Sequence, residues 1–229
     1  MAMARRVEPE WLDVLPPADA RAMRSRRDLR RVNALMSNAA IVRSGLGASA
    51  ALRRVAEIGA GDGAFSLRVL RAMPRPEPGA ELLLVDREPI RDGAVEAELA
   101  SRGWRVRWER ADAFDWLQSS GERDLDAVVA NLFLHHFEDA PLARMLALLA
   151  RRTRAFVACE PRRDAVALLG ARLLGVVGCN DVTRHDAVVS VRAGFLGREL
   201  SALWPAAQPH RLEERPRGLF SHAFTARLP

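Results

Sequence analysis

Three glycines at alternate positions follow a short apolar run, Val55-Ala56-Glu57-Ile58-Gly59-Ala60-Gly61-Asp62-Gly63, and an amphipathic stretch at residues 64–73 comes after them. An apolar run that stops at glycine and resumes with helical spacing reads as strand, tight turn and helix. Lacking Cβ atoms, Gly59, Gly61 and Gly63 permit φ > 0 and let a ligand lie against the backbone. The unpaired N–H groups that open the helix would face that ligand. In doubly wound α/β folds such a turn holds a nucleotide-like cofactor.

The rest of the chain supports a sheet around that turn. Strand-like runs recur at residues 54–58, 81–85, 104–108, 126–130 and 155–159, with helical stretches at 64–73, 89–101, 113–119 and 141–151. Such alternation implies βαβ units, a parallel sheet and right-handed crossovers. Residues 162–178 read as one long helix, and 184–204 as one or two helices broken near Gly194 and Gly197. Residues 210–214 and 219–226, on either side of Pro216-Arg217-Gly218, read as a hairpin. The expected fold is α/β: a Rossmann-like, doubly wound, seven-stranded mixed sheet of five parallel strands plus a C-terminal hairpin, with an N-terminal helical cover. The boundaries fall at 1–50 for the cover and 51–229 for the sheet-bearing domain, with a helical insertion at about 162–205.

Composition narrows the class. The net charge is +6, and all 35 basic residues are arginine. Tyrosine is also absent, so this arginine usage reads as compositional bias as much as a nucleic-acid signature. Arg21, Arg24, Arg26, Arg27, Arg30 and Arg31 crowd one helical segment with Asp28 among them. That pattern fits a solvated helix face, with phosphate contact as the alternative. No apolar run is long enough to cross a bilayer, and the Arg- and Glu-rich start is unlike a signal peptide. Two cysteines, Cys159 and Cys179, lack metal-ligand spacing. The expectation is a reduced, cytoplasmic protein without a metal site, monomeric or homodimeric.

The segment 59–64 also satisfies the dinucleotide fingerprint G-x-G-x-x-G/A. Asp62 lies inside the turn, however, and Glu57 two residues before it. Two carboxylates there would repel a pyrophosphate and suit a ligand carrying positive charge, such as S-adenosylmethionine with its ammonium and sulfonium.

The pattern Glu57-x-Gly59-x-Gly61-x-Gly63 resembles motif I of the class I S-adenosylmethionine-dependent methyltransferases. Downstream segments are similar to the family's later motifs: Asp86 after Leu82-Leu83-Leu84-Val85, Asp112 in Arg110-Ala111-Asp112-Ala113, and Asn131 ending the fourth strand-like run. Leu132-Phe133-Leu134-His135-His136-Phe137 then looks like the loop of the family's small-molecule, polyketide- and quinone-type branch. The resemblance implies that residues 51–229 form a methyltransferase domain. It assigns cofactor contacts to Glu57, Gly59, Ala60, Gly61, Gly63, Asp86, Arg87, Asp112, Ala113, Asn131 and Leu132. The family places Asp86 on the ribose hydroxyls, Asp112 by the adenine and Asn131 at the reacting centre. The segment 131–134 lacks the Asn/Asp-Pro-Pro-aromatic motif of amine methylation, and Cys159-Glu160-Pro161 lacks a C5-methylation pattern.

The acceptor is then a small, largely apolar molecule, methylated at a phenolic or enolic hydroxyl or at a ring carbon. Oxygen methylation needs a general base, and histidine suits it near neutral pH. His135 and His136 follow the fourth strand, where the methyl group must emerge. Because neighbours face one site with difficulty, at least one should be structural. His185 is the third candidate, beside Asp186. His222 reads as a packing or surface residue, and Glu160 as a substrate contact or a partner of Arg162 or Arg163. The alternative function is RNA methylation through the Arg-rich N-terminal helix.

Overall fold

The computed structural model describes residues 3–16, 18–47, 52–119 and 125–229. The boundary drawn at 50/51 lies outside them. Three helices lead in: α1 (Trp11–Val14), α2 (Ala20–Leu35) and α3 (Asn38–Leu46). Next come β1 (Arg54–Ile58), α4 (Ala64–Arg71), β2 (Glu81–Asp86), α5 (Gly93–Ser101), β3 (Arg105–Arg110), α6 (Ala113–Gln118) and β4 (Leu125–Asn131). The chain continues through α7 (Asp139–Arg152), β5 (Thr153–Pro161), α8 (Ala165–Leu173), α9 (Asp181–Ala193), α10 (Glu199–Leu203), β6 (Arg211–Arg217) and β7 (Ser221–Arg227). One seven-stranded sheet runs β3-β2-β1-β4-β5-β7-β6. Its first five strands are parallel, and β7 pairs antiparallel with both β5 and β6.

The period-2 rule divides the core between the two faces of the sheet. In β4, Val128 and Ala130 face Leu142, Met145, Leu146 and Leu149 of α7, which recur at helical spacing. Ala127 and Val129 of the same strand join Leu82 and Leu84 of β2 in the other layer. There they meet Leu67 and Leu70 of α4, Val95 and Leu99 of α5, and Val42 and Leu46 of α3. The strand order reverses between β1 and β4, and this class of fold opens its crevice at that point, beyond the strands' C-terminal ends.

Four segments differ from the sequence expectation. Apolar residues recur at helical intervals through 20–44, yet that segment forms two helices, because Ser37 takes a left-handed φ of 58°. The helix expected at 89–101 starts at Gly93, where Asp92 accepts hydrogen bonds from the N–H groups of Ala94 and Val95. The long helix at 162–178 shrinks to α8: Pro161 still belongs to β5, Asp164 caps the helix, and Gly175 and Gly178 follow its end. Pro216 lies within β6, opposite His222, and the turn moves to residues 218–220. An edge strand tolerates proline because one of its N–H rows has no partner strand.

Candidate active site

A cleft of about 610 Å3 opens at the switch point, walled by the glycine turn, the end of β4, α2 and the N-terminal strap 7–13. Of the eleven expected cofactor contacts, all but Gly63 line it. Gly63 is instead a packing glycine, since a Cβ there would come within 2.8 Å of Leu84 and 3.1 Å of Trp108. Gly59 is similar, as its Cβ would run into the Phe133 ring. Only Gly61, at φ +55°, faces open space. A larger groove of about 840 Å3 lies between α3 and the β6–β7 hairpin and holds none of these residues.

Two of the N–H groups at the start of α4, those of Ala64 and Ser66, are not free for a ligand, contrary to expectation. Asp62 accepts from Ala64 N–H at 3.0 Å, and buried Glu57 accepts from the Ser66 hydroxyl and backbone. The protein's own carboxylates therefore fill the place a pyrophosphate would take. Asp62 is further paired with Arg30 of α2 at 2.6 Å, so the repulsion expected from it is partly neutralised. Glu57 remains. Burial pushes its pKa up to about 8 against the Ser66 hydrogen bonds, and the nearby Asp62 and Asp86 charges add to the rise. A cationic ligand would lower it again.

Asp86 ties the turn together. One carboxylate oxygen accepts from Gly61 N–H at 2.8 Å and the other from Glu88 N–H at 2.9 Å. Asp112 caps α6 by accepting from Phe114 N–H, while still lining the cleft. Asn131 belongs to an amide cluster: Asn38 donates to it at 3.0 Å, and it donates to Asn33 at 3.2 Å. Leu132 then takes a left-handed φ of 52°, pinned by its N–H bond to the Cys159 carbonyl. Strain at such a position persists only where its surroundings hold it. Here it turns the chain from β4 into a single 3₁₀ turn, Leu134–His136.

That turn brings both histidines to the cleft, with ring centroids 4.3 Å apart. Their roles differ. His135 is buried, with Nδ1 2.8 Å from Glu160 and Nε2 3.2 Å from Glu10. Burial would lower its pKa, yet the hydrogen bonds it makes to the two carboxylates raise it to about 9, and both ring nitrogens are engaged by them. Glu160 also accepts from the Phe133 and Leu134 N–H groups. It thus anchors the turn, and Arg162 and Arg163 pair with Asp164 and Glu199 instead. His136 is partly exposed and sits 3.4 Å from Asp13. Burial raises the Asp13 carboxyl, but His136 and Arg87 hold it below its usual range on balance.

His185 lies outside the cleft. It stacks on Trp11 at 3.9 Å and pairs with Asp186, in a separate groove beside α1. His222 is buried against Glu214. At least four of the six arginines of α2 have intramolecular uses: Arg21 on Asp19, Arg30 on Asp62, Arg31 on Asp28, and Arg24 on the Gly178 carbonyl. Sequence reading missed Glu10, Asp13, Arg30, Asn33 and Asn38. Each acts across a long chain separation, and no local pattern marks any of them.

A family model described as a methyltransferase domain matches residues 55–155. No curated protein matches the chain. Among solved structures, it is similar to an O-methyltransferase family protein from Burkholderia thailandensis at 19% identity and a TM-score of 0.61, over 92% of this chain and 61% of that one. The riboflavin-analogue dimethyltransferase RosA from Streptomyces davawensis gives 21% and 0.58, over 96% and 62%. The plantazolicin methyltransferase BamL, solved with SAH and a desmethyl plantazolicin analogue, gives 11% and 0.63, over 95% and 93%. The chain thus spans about three-fifths of the first two and nearly all of the third. At these identities the likeness establishes the fold.

Proposed function

We propose that residues 55–155, which match a model described as a methyltransferase domain, belong to the class I, S-adenosylmethionine-dependent superfamily, and that the chain methylates a hydroxyl oxygen of a small, largely apolar acceptor. One observation carries the reading: His136, with Asp13 beside it, faces the same cleft as Glu57, Gly61 and Asp86. Glu57 would take the donor's ammonium, Asp86 its ribose and Asp112 the adenine edge. When bound, the donor supplies an electrophilic methyl on a sulfonium.

Everything else falls to the chain. Displacement at the methyl is in line, so holding the acceptor oxygen in place supplies most of the rate. Leu12, Leu29, Phe133 and Phe137 provide an apolar wall for a ring, and His136 is the one histidine placed to take a phenol or enol proton. The proton would pass from the acceptor oxygen to the His136 imidazole, stabilised by Asp13. Arg30 and Arg68, which line the mouth, suit the donor's carboxylate.

Incubation with labelled S-adenosylmethionine and a panel of phenolic and enolic acceptors tests this. Label should reach an acceptor oxygen, and His136→Ala should lower kcat by about 10²–10⁴-fold, the worth of a general base. Transfer to RNA in place of every phenol would overturn the reading.

A further inference from the structure

We infer that Glu10, His135 and His136 form a binding site for one divalent transition-metal ion of the zinc or ferrous class. The site lies at the acceptor end of the cleft. One potential ligand atom from each residue lies within 4.8 Å of the others. His135 Nε2 and Glu10 Oε1 are 3.2 Å apart. Two donors bonded at about 2.1 Å to a common ion stand roughly 3.0–3.4 Å from each other at octahedral or tetrahedral angles. The same spacing therefore serves a hydrogen bond or a shared ion.

Three further features favour the ion. The outer contacts are those of a built metal site: Glu160 holds His135 Nδ1 at 2.8 Å, which aims Nε2 inward, and the Ser190 hydroxyl donates to Glu10. Glu160 is itself completely buried and fixed by two backbone N–H groups. The charge balance is favourable as well. Two buried carboxylates share one imidazole, with Asp13 close by, and a dication replacing the Nε2 proton neutralises the pair. That proton leaves to solvent. Finally, two imidazoles and one carboxylate are the donors that zinc, ferrous iron and cobalt accept, and the cleft side leaves coordination positions open.

The purpose of the site rests on the methyltransferase reading. An ion beside the acceptor hydroxyl would acidify it directly, its proton leaving to solvent, and His136 would then serve as a ligand in place of the base. The binding itself does not depend on that reading.

The test uses the full chain, stripped of metal by a chelator and titrated with Co2+ alone. The expected result is one equivalent bound with the visible bands of a low-symmetry Co2+ complex, displaced by Zn2+. His136→Ala and Glu10→Gln should each weaken binding at least tenfold, while His185→Ala, outside the cleft, leaves it unchanged. Each variant's S-adenosylmethionine affinity, measured in the same preparations, reports its folding. With two variants, the loss of one to misfolding leaves the other decisive. No stoichiometric Co2+, or binding indifferent to both variants, overturns the site. Intact donor binding in that case leaves the methyltransferase reading standing, whereas absent donor binding with Co2+ bound strikes the methyltransferase reading alone.

Discussion

At the scale of single residues, Glu57 is the most informative titrating group. Its pKa in the folded, ligand-free protein is about 8, well above that of an exposed carboxyl. Because the folded value is raised, the group's contribution to stability is complete below the unfolded value near 4.5 and is lost as pH rises through about 8. A cationic donor reverses the preference, since it favours the ionised carboxylate. Donor affinity should therefore rise with pH up to about 8 and flatten above it. Calorimetry in buffers of different ionisation enthalpy should show a proton released on binding at pH 7. Glu57→Gln should abolish the slope and weaken binding at pH 8.5 by about 1.5–3 kcal/mol, the value of a hydrogen bond to a charged group. A slope unchanged in that variant would detach Glu57 from the donor. The glycines give a second contrast. Gly61→Ala meets open space and bears only the cost of its left-handed φ, about 1–2 kcal/mol, so it should fold and lose donor affinity. Gly59→Ala drives a Cβ into Phe133 and should cost more in stability by denaturant unfolding. The motif made all three glycines visible in the sequence. What it hid was which one faces open space, because that depends on Phe133, Leu84 and Trp108, which are remote in the chain.

At the scale of elements, strands were more legible than helices and the N-terminal strap was not legible at all. The inner strands β1, β2, β4 and β5 were marked by apolar runs, because both faces of the sheet are covered there, whereas the edge strands β3 and β6 carry fewer buried residues. Helix ends were misread where a cap or a left-handed residue decides them, as at Asp92, Asp164 and Ser37. The strap carries no periodicity, and its anchors are scattered: Arg5 reaches Asp139 and the Phe137 carbonyl, and Arg163 reaches back to the Met3 carbonyl. Asp186 holds the short α1 by accepting from the Trp11 and Leu12 N–H groups at 2.8 and 3.0 Å. Removing that cap with Asp186→Ala should cost about 1–2 kcal/mol. Because α1 carries Leu12 and Asp13 into the cleft, the variant should raise KM for the acceptor and leave donor affinity intact. Limited proteolysis should cut the variant within residues 3–14 well before the native chain. Equal cutting of both proteins would mean that other contacts hold α1.

At the scale of the whole molecule, the alternation of strands and helices predicted five parallel strands, and the two runs around Pro216-Arg217-Gly218 predicted the antiparallel C-terminal pair. Handed crossovers and short connections leave few other ways to bury those runs. The choice of cofactor is a molecular property as well, because it depends on what the fold brings to the start of α4. Glu57 from β1 and Asp62 from the turn occupy the anion site there, and Arg30 of α2 braces Asp62 from outside. A dinucleotide would have to displace both carboxylates, whereas a cationic methionine group meets them as partners. Binding to the folded state alone stabilises it by RT ln(1 + [L]/Kd), about 2.7 kcal/mol at a hundredfold excess over Kd. For a chain of this length each kcal/mol moves the melting point by about 2–4 °C. S-adenosylmethionine at that excess should thus raise Tm by roughly 5–10 °C, and NAD at equal concentration should leave it unmoved. The reverse order would mean that the two carboxylates yield to a pyrophosphate, and the assignment of the turn would fall with them.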